Sequence, residues 1–293
     1  MFNATTIVID AFVEKLQDGY HRTYGSLKPD YPSMISYIGR MALEKIANSD
    51  APYHDLNHTI MVTEVGQEIL RGKHLSQGGV TPKDWLHFII SLLCHDIGYV
   101  RGICRGDGNG RYVINRNGDS VSLKRGATDA ALTPYHVDRS QLFVLQRFGN
   151  VDTIDTEIIL RNIEQTRFPV PECEDYQDTL SFPGLLRAAD LIGQMADINY
   201  PRKHASLFAE FQETGIAAKF GYESAADLRT QYPKFFWGVV SPLIQDALGF
   251  LRETQEGQHW LAGLYANVFA EEHQLASFGA ERGEAAETLL QNI

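Results

Sequence analysis

Leu92-Leu93-Cys94-His95-Asp96-Ile97-Gly98 closes the most apolar run of the chain, Trp85 to Cys94, with two titratable side chains and a glycine. The run is broken by His87 and is too short to span a bilayer, so it reads as a core helix over Lys83–Asp96. Gly98 then offers a helix stop. An ionised Asp at the end of such a run is costly to bury unless it is paired or bound to a cation. Two readings stand side by side. Either Asp96 emerges into solvent beside a satisfied core His95, or the two form part of a site. Cys94 reads as a buried core thiol in both.

Two further stretches bear on that choice. In Tyr53-His54-Asp55-Leu56-Asn57-His58 the histidines stand four apart. A helical stretch would put both imidazoles on one face. In Leu185-Leu186-Arg187-Ala188-Ala189-Asp190-Leu191-Ile192 the apolar pattern flanks Asp190 on both sides and turns it inward. A buried carboxylate needs a cation, and Arg187 or a metal can serve. His58, His95, Asp96 and Asp190 together make a mixed nitrogen and oxygen set suited to Zn, Fe, Mn or Ni. An Asp bridging two ions would add a second, harder one such as Mg. Such a site activates water and clamps phosphoryl oxygens without a protein nucleophile. The sequence accordingly has no GxSxG, P-loop or CxxC.

The remainder of the 293 residues reads as helical, with helices over Thr5–Gln17, Pro32–Ala47, Thr59–Arg71, Ser140–Phe148, Thr153–Gln165, Pro183–Asp197, Pro201–Thr214, Pro233–Arg252 and Gln258–Glu272. Thr81-Pro82 and Asp152-Thr153 are the expected helix entrances. One interval departs from this pattern. Between Gly102 and Gly126, Arg111 to Asn115 and Ser120 to Leu123 flank an Asn117-Gly118 turn and read as a hairpin inserted after the dyad. The expectation is an all-α fold: one helical domain over 1–293 with a small β-hairpin insertion at about 102–126.

A net charge of −11 argues against a duplex nucleic-acid partner. From Arg101 to Gly126, however, six basic residues (Arg101, Arg105, Arg111, Arg116, Lys124, Arg125) face two acids (Asp107, Asp119). That segment is either a solvated loop or a surface that steers a phosphate ester. Three cysteines without a CxxC disfavour a disulfide framework and fit a reducing cytoplasm. No membrane segment or secretory leader is expected. Oligomeric state leaves no signal.

The ordered set His58, His95-Asp96, Asp190 resembles the signature of the HD-domain metal-dependent phosphohydrolase superfamily. Tyr53-His54-x-x-x-His58 is similar to the Tyr-His-Asn-x-x-His box of class I cyclic-nucleotide phosphodiesterases. Phe235-Phe236-Trp237-Gly238-Val239-Val240-Ser241-Pro242-Leu243 is similar to their purine-clamping helix. The resemblance implies a phosphodiesterase-like helical bundle with one or two divalent ions (Zn, Fe, Mn, Ni or Mg). His58, His95, Asp96 and Asp190 would hold the metal, and His54 would be the general acid. It also implies substrate contacts from Tyr53, Phe235 and the Tyr232 position, with His136 either lining the site or structural; Gln194, four residues past Asp190 on the same helical face, either touches substrate or caps the ligand. Thr166 or Glu164 would stand near the metal waters.

The chain departs from that pattern at several places. Tyr232 stands where the phosphodiesterases carry a purine-selecting Gln. Thr133-Pro134-Tyr135-His136 replaces their Glu before a His-His pair. Ile97-Gly98-Tyr99 lacks the Lys of HD-GYP enzymes, and Tyr99-Val100-Arg101 lacks the acids of alarmone hydrolases. The expected function is hydrolysis of a small phosphoester, of a nucleotide or related metabolite, by metal-activated water, with His54 and Asp96 as catalytic residues. The alternatives are a non-catalytic binding module and a di-iron oxygenase. The latter class usually carries two extra histidines between the dyad and the last Asp, where this chain has only His136.

Overall fold

The computed structural model describes the backbone of residues 3–291 and the side chains of residues 3–274. Its centre is the helix α4, Pro82–Cys94, in which every residue from Trp85 onward is buried. A helix that is apolar all round has to be enclosed. Here α2 (Asp30–Ile46), α3 (Leu56–Gln77), α6 (Thr156–Glu164) and α7 (Phe182–Met195) enclose it, and α1 (Ala4–Tyr24) packs outside α2. The Thr81 hydroxyl and the Asp84 carboxylate cap the start of α4 reciprocally, with Pro82 at its first turn, as the sequence predicts. Two polar side chains inside α4 are satisfied. His87 Nδ1 meets Lys83 O at 2.6 Å, and its Nε2 accepts from Asp155 N at 2.8 Å. Ser91 accepts from Asn162 Nδ2 at 3.0 Å.

Contact between α3 and α7 fixes the geometry of the interior. Gly193 makes it possible, because a Cβ there would lie 2.7 Å from Val62 Cα and 2.9 Å from Val62 N. With hydrogen at that position the two backbones close up. His58, one turn before Val62, then faces Asp190, one turn before Gly193.

After α4 the chain makes a 3₁₀ turn, Ile97–Tyr99, and enters the inserted hairpin. Strands β1 (Arg111–Val113) and β2 (Ser120–Ser122) pair antiparallel, with Tyr112 opposite Val121. Gly118, at φ +82°, takes the left-handed position of the connecting turn. The fold class and the hairpin agree with the sequence reading. The hairpin's base is bolted down. Asp107 accepts hydrogen bonds from the backbone N–H groups of Gly102, Cys104 and Val113 and pairs with the fully buried Arg139 at 2.9 Å. Arg139 lies on α5 (His136–Phe148) and also donates to Gly98 O, Val100 O and Val113 O.

The outer layer comprises α8 (Tyr200–Thr214), α9 (Ile216–Phe220), α10 (Ala225–Phe235), α11 (Ser241–Leu251) and α12 (Gln255–Gln291). Two sequence expectations are corrected. The continuous helix over Pro233–Arg252 is instead α10, a π-helical turn at Phe236–Val240, and α11. Pro242 has no N–H for the carbonyl four residues before it, so the ladder widens just ahead of it. The helix expected from Thr153 starts at Thr156. Ile154 N first closes a tight turn on Val151 O, and Asp155 N is committed to His87. No helix among the described residues is long and apolar enough to cross a membrane.

Candidate metal centre

His54 and His58 reach one pocket, but not from one helical face. Helix α3 begins at Leu56, and Asp55 is its N-cap, accepting from His58 N at 2.8 Å. His54 therefore belongs to the preceding loop. What holds it is Glu210 of α8, a buried carboxylate that Ala209-Glu210-Phe211-Gln212-Glu213 does not single out in the sequence. Glu210 Oε1 accepts from Tyr53 N at 2.7 Å and from His54 N at 3.1 Å, and its Oε2 meets His54 Nδ1 at 2.6 Å. His54 Nε2 lies 3.5 Å from the Tyr99 hydroxyl, on the side of His58 and Asp96.

Four side chains from three segments converge beside it. His58 (α3) and His95 (the C-cap of α4) each direct Nε2 at Asp96 Oδ2, at 3.1 and 3.2 Å. Asp190 Oδ1 (α7) lies 3.3 Å from His58 Nε2 and 3.7 Å from His95 Nε2. His95 Nδ1 is engaged by Leu92 O at 2.7 Å, which fixes the ring and commits Nε2 to the cluster. Asp96 sits in the bridge region, at φ −105° and ψ 3°, where active-site residues are common. The expected alternative cation for Asp190 is absent, because Arg187 donates to Gln165 Oε1 and Tyr176 O.

None of the close approaches has hydrogen-bond geometry. His58 Nε2, His95 Nε2 and Asp96 Oδ2 are buried polar atoms without a hydrogen-bond partner. Three such atoms at one point would cost several kcal/mol if nothing filled the space between them. Two groups here can hold a metal ion, His58–His95–Asp190 and His54–His58–Asp96, each with ligand atoms within 4.8 Å of one another. The donor set, imidazole with carboxylate, is the one transition-metal ions favour.

The field in the pocket is set by its carboxylates. Burial depresses the basicity of His58 and His95, but Asp96 and Asp190 overcome it and draw both upward, His58 to about 9. Burial also opposes charge on Asp96, yet His95 and His58 hold it well below the ordinary carboxylate range. His54 follows the same pattern: burial lowers it, and the charge and hydrogen bond of Glu210 raise it above 6.5. Cations are thus favoured wherever these acids point.

The other expected site residues lie at different depths. Tyr53 is buried beneath His54 and His58, and its hydroxyl donates to Gln194 Oε1 at 3.1 Å. His136 Nε2 stands 3.8 Å from Asp96 Oδ1, with Nδ1 held by Thr133 O at 2.7 Å. Tyr99 stacks between the two outer imidazoles, 4.4 Å from His54 and 4.5 Å from His136. Tyr232 packs among Tyr200, His204 and Phe236, and only 2% of it is exposed, so it presents no open wall. Phe235 is half-buried against Phe168 at 5.9 Å. Glu164 is occupied by Arg167, Tyr176 and Gln141, and Thr166 donates to Ile163 O.

No curated protein and no solved structure matches the chain. One family does match: over residues 2–274, from α1 through α7 and into α12, the chain belongs to the Npun_R2479-like family.

Proposed function

We propose that the chain is a metal-dependent phosphohydrolase of the HD type, cleaving a small phosphoester such as that of a nucleotide or related metabolite in a reducing cytoplasm. One observation carries the reading. Buried, unpartnered ring nitrogens of His58 and His95 converge with Asp96 and Asp190, and a carboxylate-held His54 stands alongside. When bound, a divalent ion supplies the Lewis acidity that lowers the pKa of coordinated water and neutralises phosphoryl oxygens.

The chain's own groups divide the remaining work. Asp96 turns Oδ2 to His58 and His95 and Oδ1 towards His136, an arrangement suited to a carboxylate shared between two ions. Glu210 meets His54 Nδ1 and favours the imidazolium, the form whose Nε2 carries a proton to give, with the Tyr99 hydroxyl 3.5 Å from that nitrogen. That proton passes to the leaving oxygen as the P–O bond breaks. Tyr99 and His136 stack beside His54 and keep its ring from swinging out.

The test is a panel of cyclic nucleotides, mononucleotides and bis-p-nitrophenyl phosphate, assayed with Mn, Zn, Ni, Fe and Mg in turn. The reading expects metal-dependent release of phosphate or p-nitrophenol that a folded Asp96→Ala protein lacks. Equal turnover by Asp96→Ala would overturn it. So would iron-dependent oxygen uptake without any hydrolysis.

A further inference from the structure

The hairpin encloses a second concavity, of about 520 Å³, between its strands and α5. Arg105, Arg111 and Arg116 line it with Asn109, Asn115 and Gln146, and no carboxylate takes part in the lining. In a chain of net charge −11 that is a pronounced local reversal. None of the three guanidinium groups is ion-paired. Arg111 donates through Nε and Nη2 to Ser120 Oγ, and Arg105 donates to Gln146 O; Arg116 has no partner at all among the described residues. The nearby acids are otherwise engaged: Asp107 is buried against Arg139, and Asp119 accepts from Asn115 Nδ2.

The backbone keeps this wall concave. Gly108 and Arg111 exchange both backbone hydrogen bonds across Asn109 and Gly110, which lie at φ +52° and +74°. That tight turn precedes Arg111, and a second one, closed by Gly118 N on Asn115 O, carries Arg116; both arginines line the cavity. Guanidinium forks match phosphate oxygens bidentately. The volume is in the range that holds a nucleotide-sized molecule.

The cavity is separate from the metal centre. Its α5 residues, Leu142 and Gln146, are six and ten positions beyond His136, or about 9 and 15 Å further along the helix axis. We propose that the hairpin cavity binds a small anion carrying two or more phosphates, as a site distinct from the metal centre. It is also mechanically joined to that centre. Arg139 holds Val113 O of the hairpin with one hand and Gly98 O and Val100 O, just after Asp96, with the other. A ligand that favours one hairpin position thereby favours one position of the Asp96 turn, and linkage makes the effect reciprocal. The binding site stands on the hairpin geometry alone; its regulatory meaning rests on the hydrolase reading above.

Calorimetric titration with inorganic triphosphate, on metal-free protein, separates the two. Wild type is expected to bind with one equivalent per chain. The doubly substituted Arg111→Ala/Arg116→Ala protein should bind at least about tenfold more weakly, as expected for losing a charge-assisted fork. Asp96→Asn should still bind triphosphate with one equivalent per chain, and Lys124→Ala, in the same basic segment but outside the cavity, should bind like wild type. Both arginines are exposed, so folding is not at stake. Loss of binding in Asp96→Asn with none in the arginine variant would assign the anion to the metal centre and overturn the proposal. Equal weakening by Lys124→Ala, or no binding at millimolar triphosphate, would overturn it as well. Failure of the phosphoester panel alone would leave this result untouched.

Discussion

In the proposed hydrolysis, His54 is the residue on which a single proton transfer turns. Its Nδ1 is held at 2.6 Å by Glu210, and although burial lowers its basicity, the charge and hydrogen bond of that carboxylate raise it above the ordinary histidine value. His54→Gln should retain the metal yet lose about 10²- to 10⁴-fold in turnover on esters with poor leaving groups. The loss should be much smaller with p-nitrophenyl esters, whose leaving group needs no proton; equal losses on both would show that His54 serves some other purpose. In Glu210→Gln the upward pull on His54 disappears. The high-pH limb of kcat should then move to lower pH, and an unmoved limb with only an altered KM would deny Glu210 its positioning role. At this scale the cluster of His58, His95, Asp96 and Asp190 was legible, because carboxylates at the end of and within apolar runs demand an explanation from any reader. Glu210 was not legible. It lies some 150 positions from His54, and its burial arises from the docking of α8, to which no local pattern points.

Elements carry these residues to one point, and the tolerances are small. Gly193→Ala would thrust a methyl to 2.7 Å from Val62 Cα. Overpacking of this kind costs about 1–3 kcal/mol. Because α3 and α7 must separate to accept it, His58 and Asp190 part as well, and metal affinity should fall with stability. A variant that loses stability but binds metal as tightly as wild type would show that the α3–α7 spacing does not set the site.

A second tie, from α4 to the start of α6, is sensitive to pH. Burial keeps His87 below its ordinary value of 6.5, and its Nε2 must stay unprotonated to accept from Asp155 N. The unfolded chain takes up a proton at 6.5 and the folded one resists it. Stability is therefore intact above 6.5 and drains as the pH falls below it, at up to about 1.4 kcal/mol per pH unit from this group. Thermal melts from pH 7.5 to 5 should fall more steeply for wild type than for His87→Gln; parallel curves would remove His87 from the account. The helices themselves were readable from spacing. The split after Phe235 was not, since Phe236–Val240 has helical spacing and only the missing N–H of Pro242 widens the turn. The common helical face for His54 and His58 also failed, because Asp55 prefers to cap α3 and thereby sets its first turn at Leu56.

Across the whole molecule, α4 is the pillar and the candidate metal centre stands at its end, where α3, α7, the 3₁₀ turn and the loop held by α8 meet. Membership of the Npun_R2479-like family covers all of these elements. The hairpin leaves this junction anchored through Asp107 and Arg139, which tie its base to the turn after Asp96. A ligand that binds only the folded state stabilises it, by about 2.7 kcal/mol at a hundred times its dissociation constant. Joining three segments, a divalent ion at His58, His95, Asp96 and Asp190 should act on the fold as a whole. The most direct measurement is the metal content of the protein by mass spectrometry, purified with Mn, Zn, Ni and Fe available, together with its melting temperature before and after chelation. The account predicts one or two ions per chain in wild type, a lower melting temperature once they are removed, and little bound metal in a folded His95→Ala/Asp96→Ala protein. Wild type free of bound metal, or a double variant that retains the full complement, would contradict it.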